Sequence, residues 1–338
     1  MNKSNKRVNV THEWGKLKEV VLGDYRRMIA PRLEEMPPEL MVIAPKSTQE
    51  STAKWAGKHF AEVEPEIWAR AVKQQDDWAK YLSDLGIVVH RQQPCSELEE
   101  TLHSGITTGS WSGFPRDPIV VIGNHLIELS NKYAYRDKER FGLRKMIKGF
   151  IEEERDFHWV SMPMAPPRHM GKTVGRDYED TPILDGGDIF VLGKEILVGN
   201  SGQASNVSGI NWLRNYLKPF GYNVTGIKIE ESFVHLDDGL SCIDEGLAIV
   251  CEEQYTYGMP EIIKGWDTVN VTKSEAKDLL AGNGMVLGPK ETLIDARLTH
   301  IGEQLEKRGV KVHYLEFDAV TSWCGGFRCA HHPIIREV

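Results

Sequence analysis

The chain has 338 residues, of which 41% are hydrophobic and 27% are charged. A chain of this length and composition can bury a substantial core, so it is expected to be globular. Its formal net charge is -8, which excludes the basic surface that nucleic-acid phosphates require and fits a cationic small molecule better. No apolar stretch approaches the roughly 20 residues that a bilayer requires, so a membrane is not an expected partner either.

The start of the chain and its cysteines indicate a cytoplasmic protein. Residues 1–7 (MNKSNKR) are polar and lack the apolar segment of a signal peptide. The cysteines are odd in number and scattered, so a disulfide framework is not expected and at least one is a candidate reactive thiol. The five are Cys95, Cys242, Cys251, Cys324 and Cys329.

Short apolar runs followed by a tight polar or glycine turn recur along the chain and predict buried strands or hairpins. In two of them a second apolar run follows the turn at once, which is typical of a hairpin. In chain order the runs are 20–23 (VVLG), 120–127 (VVIGNHLI), 190–198 (FVLGKEILV), 247–250 (LAIV) and 285–288 (MVLG).

Between these runs, apolar residues at helical spacing precede a glycine and then a strand. The pattern occurs at 71–89, 212–224 and 298–314. Helix followed by strand therefore repeats, although the spacing is irregular and the units share no residue-level identity. This alternation fits either a cyclic arrangement of units or an ordinary open α/β sheet.

No low-complexity linker divides the chain, so residues 1–338 are expected to form a single domain. Two proline-rich stretches, 28–50 and 161–180, are predicted to be long irregular loops. Loops of this length in a compact domain often cover a site as lids.

The polar residues beside the predicted strands suit chemistry on a guanidinium ion, which is planar, permanently charged and resonance-stabilised. Cleaving its C–N bond requires carboxylates to hold the cation, a strong nucleophile to attack the carbon, and an acid to protonate the departing amine. The chain contains candidates for all three roles.

Three aspartates and one histidine are the candidate carboxylates and acid. Asp117 follows a Phe-Pro-Arg turn and precedes a buried strand, although a turn aspartate that binds local amides is the alternative. His235 and Asp237 are two residues apart in an apparent extended segment, which places both on one face, but such pairs are also common on exposed strands. Asp185 is followed by two glycines, which indicate either close backbone approach to a ligand or a plain turn.

The candidate nucleophile is Cys329, which follows the flexible pair Gly325-Gly326. Arg328 and the pair His331-His332 are positive neighbours that are expected to lower the pKa of its thiol. Cys324 is the rival thiol. Both cysteines and both histidines are also a candidate zinc site, but no Cys-x-x-Cys pair is present, so neither a metal nor another cofactor is expected.

Four ordered motifs and the opening of the chain closely resemble the amidinotransferase family. This family includes arginine:glycine and inosamine-phosphate amidinotransferases, within the guanidine-modifying (pentein) superfamily that also contains arginine deiminases. The resemblance spans nearly the whole chain, and the ordered set is more specific than any single motif. The segments are 13–23 (EWGKLKEVVLG), 114–124 (FPRDPIVVIGN), 184–188 (LDGGD), 235–237 (HLD) and 325–329 (GGFRC).

This resemblance implies a five-bladed α/β propeller, built from ββαβ units around a central active site. It implies Cys329 as the nucleophile, His235 as the general acid/base and Asp185 as its partner. Asp117 and Asp237 are then the carboxylates that bind the guanidinium group. A homodimer is also implied.

The implied activity is transfer of an amidino group from a guanidine donor, such as L-arginine, to a primary amine through an amidino-cysteine. Hydrolysis by water, as in arginine deiminases, is the alternative, and a non-catalytic binding scaffold is a third. Family members bind the donor carboxylate with basic residues, but 199–206 and 251–255 contain none. Either Arg116 or Arg328 therefore contacts this carboxylate, or the donor is a different guanidine compound.

Overall fold

The computed structural model describes residues 7–32, 35, 54, 57–95, 109–163, 167–168, 175–176 and 181–337. Within these ranges, no helix combines the length and apolar character of a membrane span. The strands are β1 (Lys16–Leu22), β2 (Val88–Arg91), β3 (Ile119–Ile122), β4 (His125–Glu128), β5 (His158–Ser161), β6 (Pro167–Arg168), β7 (Gly175–Arg176), β8 (Ile189–Leu192), β9 (Glu195–Asn200), β10 (Asn223–Lys228), β11 (Leu240–Asp244), β12 (Leu247–Val250), β13 (Asp267–Asn270), β14 (Met285–Gly288), β15 (Glu291–Asp295), β16 (Lys311–Leu315) and β17 (His331–Glu337). The α-helices are α1 (Phe60–Val63), α2 (Pro65–Asp84), α3 (Ala134–Asp137), α4 (Arg144–Glu152), α5 (Val207–Leu217), α6 (Lys273–Asp278), α7 (Thr299–Glu306) and α8 (Asp318–Thr321).

Five sheets of three strands each form the body of the described structure. They are β17-β1-β2, β3-β4-β5, β8-β9-β10, β11-β12-β13 and β14-β15-β16, which we number blades 1 to 5. In blades 2 to 5 the first two strands form an antiparallel hairpin, and the third strand lies parallel to the second. The hairpin loops have two residues, and Gly193 in blade 3 has a φ of 72°, a conformation that such tight loops require.

Blade 1 joins the first strand of the chain to the last. β17 pairs antiparallel with β1, from Lys16 opposite Glu337 to Leu22 opposite His331, and β2 lies parallel to β1 on its other side. Neighbouring blades touch through β17 and β3, through β11 and β14, and through β14 and β1. Five separate sheets in a closed order confirm the predicted propeller, and the open-sheet alternative is wrong.

Amphipathic helices connect the second and third strands in most blades. In α2, Ala71, Trp78 and Leu82 are buried, as their helical spacing predicts. Leu85, which the same spacing includes, is instead the C-cap residue and is 43% exposed. Helices α5 and α7 bury most of the apolar residues of the two other predicted helix–strand units, while Trp212 and Tyr216 are partly buried. All three units are therefore confirmed.

The crossover of blade 4 differs from the predicted ββαβ unit. Residues 251–266, all of which the structure describes, contain the 3-10 turn Glu252–Gln254 and no α-helix. Gly258, Pro260 and Gly265 lie in this segment, and glycine and proline disfavour a continuous helix.

The two predicted lid loops fall mostly outside the described residues. Of 28–50 the structure describes 28–32 and 35, and of 161–180 it describes 161–163 and the strands β6 and β7. These two strands pair antiparallel, so the second stretch is not wholly irregular. Because several internal ranges lie outside the description, the assignment of residues 1–338 to one domain stays a prediction.

A buried aromatic cluster supports the chain just before β17. Trp78 is 1% exposed, and its ring packs edge-on against Phe317 and Phe327, with centroids 5.3 Å away in each case. Phe317 and Phe327 stack on each other at 3.9 Å. Phe327 lies two residues before Cys329, so the packing of α2 positions the segment that carries the candidate nucleophile.

Replacing Trp78 with alanine is expected to lower the free energy of unfolding by about 3 to 5 kcal/mol, because it removes a large buried ring and leaves a cavity. Urea unfolding followed by circular dichroism measures the change. The control is Tyr257→Ala, whose side chain is 86% exposed, and its effect should stay within about 0.5 kcal/mol. Equal effects of the two substitutions would contradict the described packing.

Candidate active site

The predicted site residues occupy equivalent places in the propeller, in the turn before a strand that begins a blade. Asp117 precedes β3, Asp185 precedes β8, and His235 and Asp237 precede β11, while Cys329 precedes β17. None of the five is more than 5% exposed. Because the blades form a ring, these turns converge. One oxygen of Asp117, one of Asp185 and one ring nitrogen of His235 lie within 4.8 Å of one another.

Asp117 is bound through both carboxylate oxygens. The backbone N–H of Gly187 donates to Oδ1 at 3.0 Å, and Nη2 of Arg136 forms an ion pair with Oδ2 at 2.9 Å. Burial favours the neutral acid, but the charges of His235 and Arg136 outweigh burial and hold the pKa of Asp117 below its ordinary value. Asp117 is therefore a fixed, ionised carboxylate.

The structure brings His235 next to Asp185. Nε2 of His235 lies 3.1 Å from Oδ2 of Asp185, and Nδ2 of Asn131 donates to the other oxygen of this carboxylate at 2.7 Å. Burial opposes a charge on the imidazole, but Asp117 and Asp185 outweigh it and raise the pKa of His235 well above its ordinary value. The imidazole is therefore protonated at neutral pH and can donate a proton.

The segment around His235 is not extended, contrary to the sequence prediction. Leu236–Asp238 forms a 3-10 turn with His235 as its N-cap residue. The Oδ2 atom of Asp238 accepts hydrogen bonds from the backbone N–H groups of Val234 and His235 at 3.0 and 3.2 Å. Local capping thus takes the place of strand pairing, and the turn carries both His235 and Asp237 into the site.

Asp237 is backed by Arg328. Nη1 of Arg328 donates to Oδ2 of Asp237 at 2.8 Å, whereas Oδ1 is buried and has no hydrogen-bond partner among the described residues. Burial raises the pKa of Asp237 above its ordinary value, and the charges of Arg328 and His235 oppose this shift. The Oδ1 atom is therefore able to accept a hydrogen bond from a ligand.

Cys329 faces Asp237. Its Sγ lies 4.0 Å from Oδ2 of Asp237, and its backbone N–H donates to Oδ1 of Asn283 at 3.0 Å. Burial first, and then the charges of Asp237 and Asp117, raise the pKa of the Cys329 thiol well above its ordinary value. Without a cationic ligand the thiol is therefore neutral.

The prediction that positive neighbours lower the pKa of the Cys329 thiol is wrong. The guanidinium group of Arg328 contacts Asp237. The carboxylate of Asp237 lies 4.0 Å from the sulfur, and its negative charge raises the pKa of the thiol. Burial also holds the pKa of His331 and His332 well below its ordinary value, so both rings are neutral. Adjacent positions in the sequence therefore do not supply charge to the thiol.

The two arginines predicted to bind a substrate carboxylate are both bound to protein groups. Nε of Arg116 donates to the backbone oxygen of Arg328 at 3.1 Å, and its Nη2 lies 3.2 Å from Nε2 of His331. Nη2 of Arg328 donates to Oε2 of Glu13 at 3.2 Å and to the backbone oxygen of Ile189 at 3.0 Å. Both side chains support the site from within the protein, which differs from the predicted substrate contact.

The residues of the zinc alternative do not form a metal-ligating group among the described residues. Cys324 is exposed, whereas Cys329 is buried. The group with suitable spacing is instead Asp117, Asp185 and His235. The ligand atoms of this group already have protein partners, since Arg136 binds Asp117, Asn131 binds Asp185, and Asp185 binds His235.

Three side chains that contact the site were not found from the sequence. Asn283 lies in blade 5 before β14, at the position that the aspartates occupy in other blades, so the recurring position is a signal that could have identified it. Asn131 and Arg136 follow β4 and reach Asp185 and Asp117 across the fold. No comparable signal in the sequence marks these two.

Comparison with curated proteins finds relatives along nearly the whole chain, although no protein-family model matches it. The mitochondrial glycine amidinotransferase of Xenopus laevis is 26% identical over 94% of this chain and 80% of that protein. The L-arginine:L-lysine amidinotransferase of Pseudomonas savastanoi pv. phaseolicola is 24% identical over 96% of this chain and 93% of that protein. The predicted resemblance to amidinotransferases is confirmed, and so is the enzyme class that it implies.

Solved structures share the fold. An amidinotransferase of the saxitoxin biosynthetic pathway from Microseira wollei superposes with a TM-score of 0.77 at 21% identity and covers 98% of both chains. The inosamine-phosphate amidinotransferase of Streptomyces griseus gives 0.76 at 22% identity over 97% of both chains. A dimethylarginine dimethylaminohydrolase from Pseudomonas aeruginosa gives 0.61 at 14% identity over 94% of this chain and 99% of that one, so it shares the fold as well.

An alanine at position 187 is expected to displace His235. A Cβ atom on Gly187 would lie 2.8 Å from Cγ and Nδ1 of His235 and 3.0 Å from Oδ1 of Asp117, inside ordinary contact distance. The ring or the Asp117 carboxylate must then shift, which disturbs the contacts that raise the pKa of His235, so this pKa should fall toward its ordinary value. An NMR titration of the imidazole measures this fall.

Gly149→Ala is the control for this substitution, because a Cβ atom there would meet nothing within 4 Å. It should leave the pKa of His235 unchanged. An unchanged pKa in the Gly187→Ala protein as well would show that Gly187 does not hold the ring in place.

Asp237→Asn is expected to make Cys329 more reactive toward iodoacetamide. The substitution removes a negative charge 4.0 Å from Sγ, so the pKa of the thiol should fall, and only the thiolate reacts. A fall of one unit raises the alkylation rate at pH 7 by about tenfold. Mass spectrometry of the digested protein assigns the adduct, and Asp267→Asn, whose carboxylate pairs with Arg308, is the control. A slower reaction in Asp237→Asn would refute this account of the thiol.

Proposed function

Since the chain is related to the amidinotransferases along almost its whole length, we propose that it transfers an amidino group from a guanidine donor to a primary amine. We propose L-arginine as the donor and Cys329 as the carrier. One observation carries the proposal: a buried thiol lies 4.0 Å from the carboxylate of Asp237, in a site that also holds the ion-paired Asp117 and the His235–Asp185 pair.

Binding of the donor and activation of the thiol are coupled by charge. Asp117 and Asp237 bind the guanidinium group, with Oδ1 of Asp237 as one acceptor. The same two carboxylates raise the pKa of the Cys329 thiol, so a cation bound between them offsets their charge and lowers that pKa. The thiol proton leaves to solvent, and the thiolate forms where its target carbon is already bound.

In the first half of the reaction, the sulfur of Cys329 attacks the guanidinium carbon and a C–S bond forms. The C–N bond to the rest of the donor then breaks, and the protonated imidazole of His235 gives its proton to the departing amine. The products are an amidino-cysteine and, from L-arginine, ornithine. Asp185 holds the imidazole at 3.1 Å through this transfer.

In the second half, a primary amine enters and His235, now neutral, takes a proton from it. The amine nitrogen attacks the amidino carbon, the C–S bond breaks and the sulfur leaves as thiolate. Donor and acceptor thus react in turn with the same cysteine, which gives ping-pong kinetics. The acceptor is an amine by class, in line with the glycine and L-lysine in the names of the two relatives.

Hydrolysis is the alternative function and is less well supported. Water in place of the amine would release a ureido product from the same intermediate. The curated relatives that we compared are transferases, whereas the hydrolase structure resembles this chain less closely than the transferase structures do. The near-complete burial of Cys329 and His235, each 5% exposed, also limits access of water to the intermediate.

Incubating the protein with labelled L-arginine and a panel of primary amines tests the proposed function. We expect sustained release of ornithine only when an amine is present, and a single cysteine that carries one amidino group in the trapped protein. Sustained turnover of the donor in water alone would support the hydrolase, and an adduct on a cysteine other than Cys329 would refute the proposed carrier.

Replacing Cys329 with alanine should lower turnover by on the order of 100,000-fold, because no other group in the proposed mechanism forms the covalent bond. Binding of the donor should persist, since Asp117 and Asp237 remain; isothermal calorimetry measures it. Cys324→Ala is the matched control, because this cysteine is exposed and lies five residues earlier. Its turnover should be that of the unmodified protein.

A further inference from the structure

Each of the two aspartates that bind the donor is backed by a buried arginine. We infer that Arg136 and Arg328 are positioning residues, which hold Asp117 and Asp237 in place and keep them negatively charged. The inference rests on the proposed function, in which these aspartates bind the guanidinium group. It assigns to Arg136 a role in the reaction although this side chain reaches the donor only through Asp117.

Arg136 connects Asp117 to a second carboxylate. Its Nη2 lies 2.9 Å from Oδ2 of Asp117, and its Nε lies 3.1 Å from each oxygen of Glu139. Glu139 is 1% exposed and its Oε1 also accepts the backbone N–H of Trp111 at 2.7 Å. The guanidinium group is therefore held on both sides, and its position fixes the position of Asp117.

Arg328 makes the same connection behind Asp237. Its Nη1 lies 2.8 Å from Oδ2 of Asp237, and its Nη2 lies 3.2 Å from Oε2 of Glu13. The guanidinium carbon lies 3.9 Å from the centre of the Phe190 ring, which holds the group from one face. Two unrelated segments of the chain thus build the same sequence of aspartate, arginine and glutamate.

The charge of each arginine is what the buried aspartates require. A carboxylate taken out of water binds a proton unless a positive group stabilises its charge, and an arginine keeps its charge across the physiological pH range. Asp117 faces Arg136, His235, Asp237, the thiol of Cys329 and Glu139, and Arg136 lowers its pKa. Burial raises the pKa of Glu139 to about 8, so its own charge changes near neutral pH while Arg136 keeps its charge. Asp237 faces Arg328, His235, Asp117 and Asp238 as well as the thiol, and its pKa would rise further without Arg328.

Two other roles for these arginines give different results. A side chain that serves only the stability of the fold would change the melting temperature and leave the pH dependence of catalysis unmoved. A side chain that binds the carboxylate of L-arginine would affect that donor and spare agmatine, which has the guanidinium group but no carboxylate. A positioning residue affects both donors alike and moves the acidic limb of the pH profile.

Arg136→Gln and Arg136→Lys test the inference at Asp117. With glutamine the pKa of Asp117 should rise by about 1 to 3 units, so the acidic limb of kcat/KM moves to higher pH by the same amount. At pH 7, kcat/KM should fall by about 100-fold for L-arginine and for agmatine. Lysine keeps the charge but loses the planar fork, so it should restore the acidic limb while kcat stays reduced. Arg328→Gln and Arg328→Lys should behave in the same way through Asp237.

Arg140→Gln is the matched control. Arg140 lies one helical turn after Arg136, is 3% exposed and pairs with Asp137 at 3.3 Å, away from the two site aspartates. We expect it to change the melting temperature and leave the pH profile in place. If Arg136→Gln does not fold, Arg136→Lys and Glu139→Gln test the inference instead. Glu139→Gln weakens the contact that holds Arg136 without removing the charge of Arg136, so it should lower kcat.

A second readout separates this inference from the proposed function. Guanidinium chloride at millimolar concentration should shift the imidazole NMR signals of His235, because the cation binds beside the ring, and Arg136→Gln should require at least about tenfold more guanidinium for the same shift. This measurement needs no amidino transfer, so it holds even if the protein proves to transfer no amidino group. An unchanged guanidinium titration together with an unmoved acidic limb, or a loss of activity confined to L-arginine, overturns the inference.

Discussion

The rest of the structure depends on one constraint, which is that two buried carboxyl groups must stay ionised. Asp117 and Asp237 are almost fully buried, and burial alone would protonate both. Two arginines and a protonated histidine, rather than solvent, stabilise the negative charge of these carboxylates. The same carboxylates raise the pKa of the neighbouring Cys329 thiol, so without a bound cation this thiol is neutral. In the proposed function, selectivity for a cationic substrate and control of the thiol therefore follow from one electrostatic arrangement.

The propeller makes that arrangement possible by repetition. Each blade begins with a turn that faces the centre, and every one of these turns carries a buried polar side chain or thiol, including Asn283 in blade 5. Residues that are far apart in sequence thereby come within hydrogen-bonding range, as Asn283 does with the backbone of both Cys329 and Asp237. The fold brings these turns together, and the side chain in each turn determines its chemistry.

The sequence predicted the periodic parts of this protein well and the electrostatic parts poorly. Apolar runs and helical spacing identified the hairpins and the three helix–strand units, since these patterns report which face of an element is buried. The direction in which Arg328 points is set by Asp237 and Glu13, and the neutral state of His331 is set by burial. Neither cause is local in sequence. The 3-10 turn at Leu236–Asp238 was not predicted, because the spacing of His235 and Asp237 also fits an extended segment and does not show that Asp238 caps a turn.

The pairing of β17 with β1 has a consequence for the timing of activity. Cys329 lies two residues before the strand that completes blade 1, so its sulfur is brought to Asp237 when the chain's two edges have joined. While β17 is still unpaired, Sγ of Cys329 is not yet held beside Asp237. Under the proposed function, amidino transfer therefore begins with completion of the ring, whereas in an incomplete chain Cys329 is an ordinary thiol, because the burial and the carboxylate charges that raise its pKa are absent.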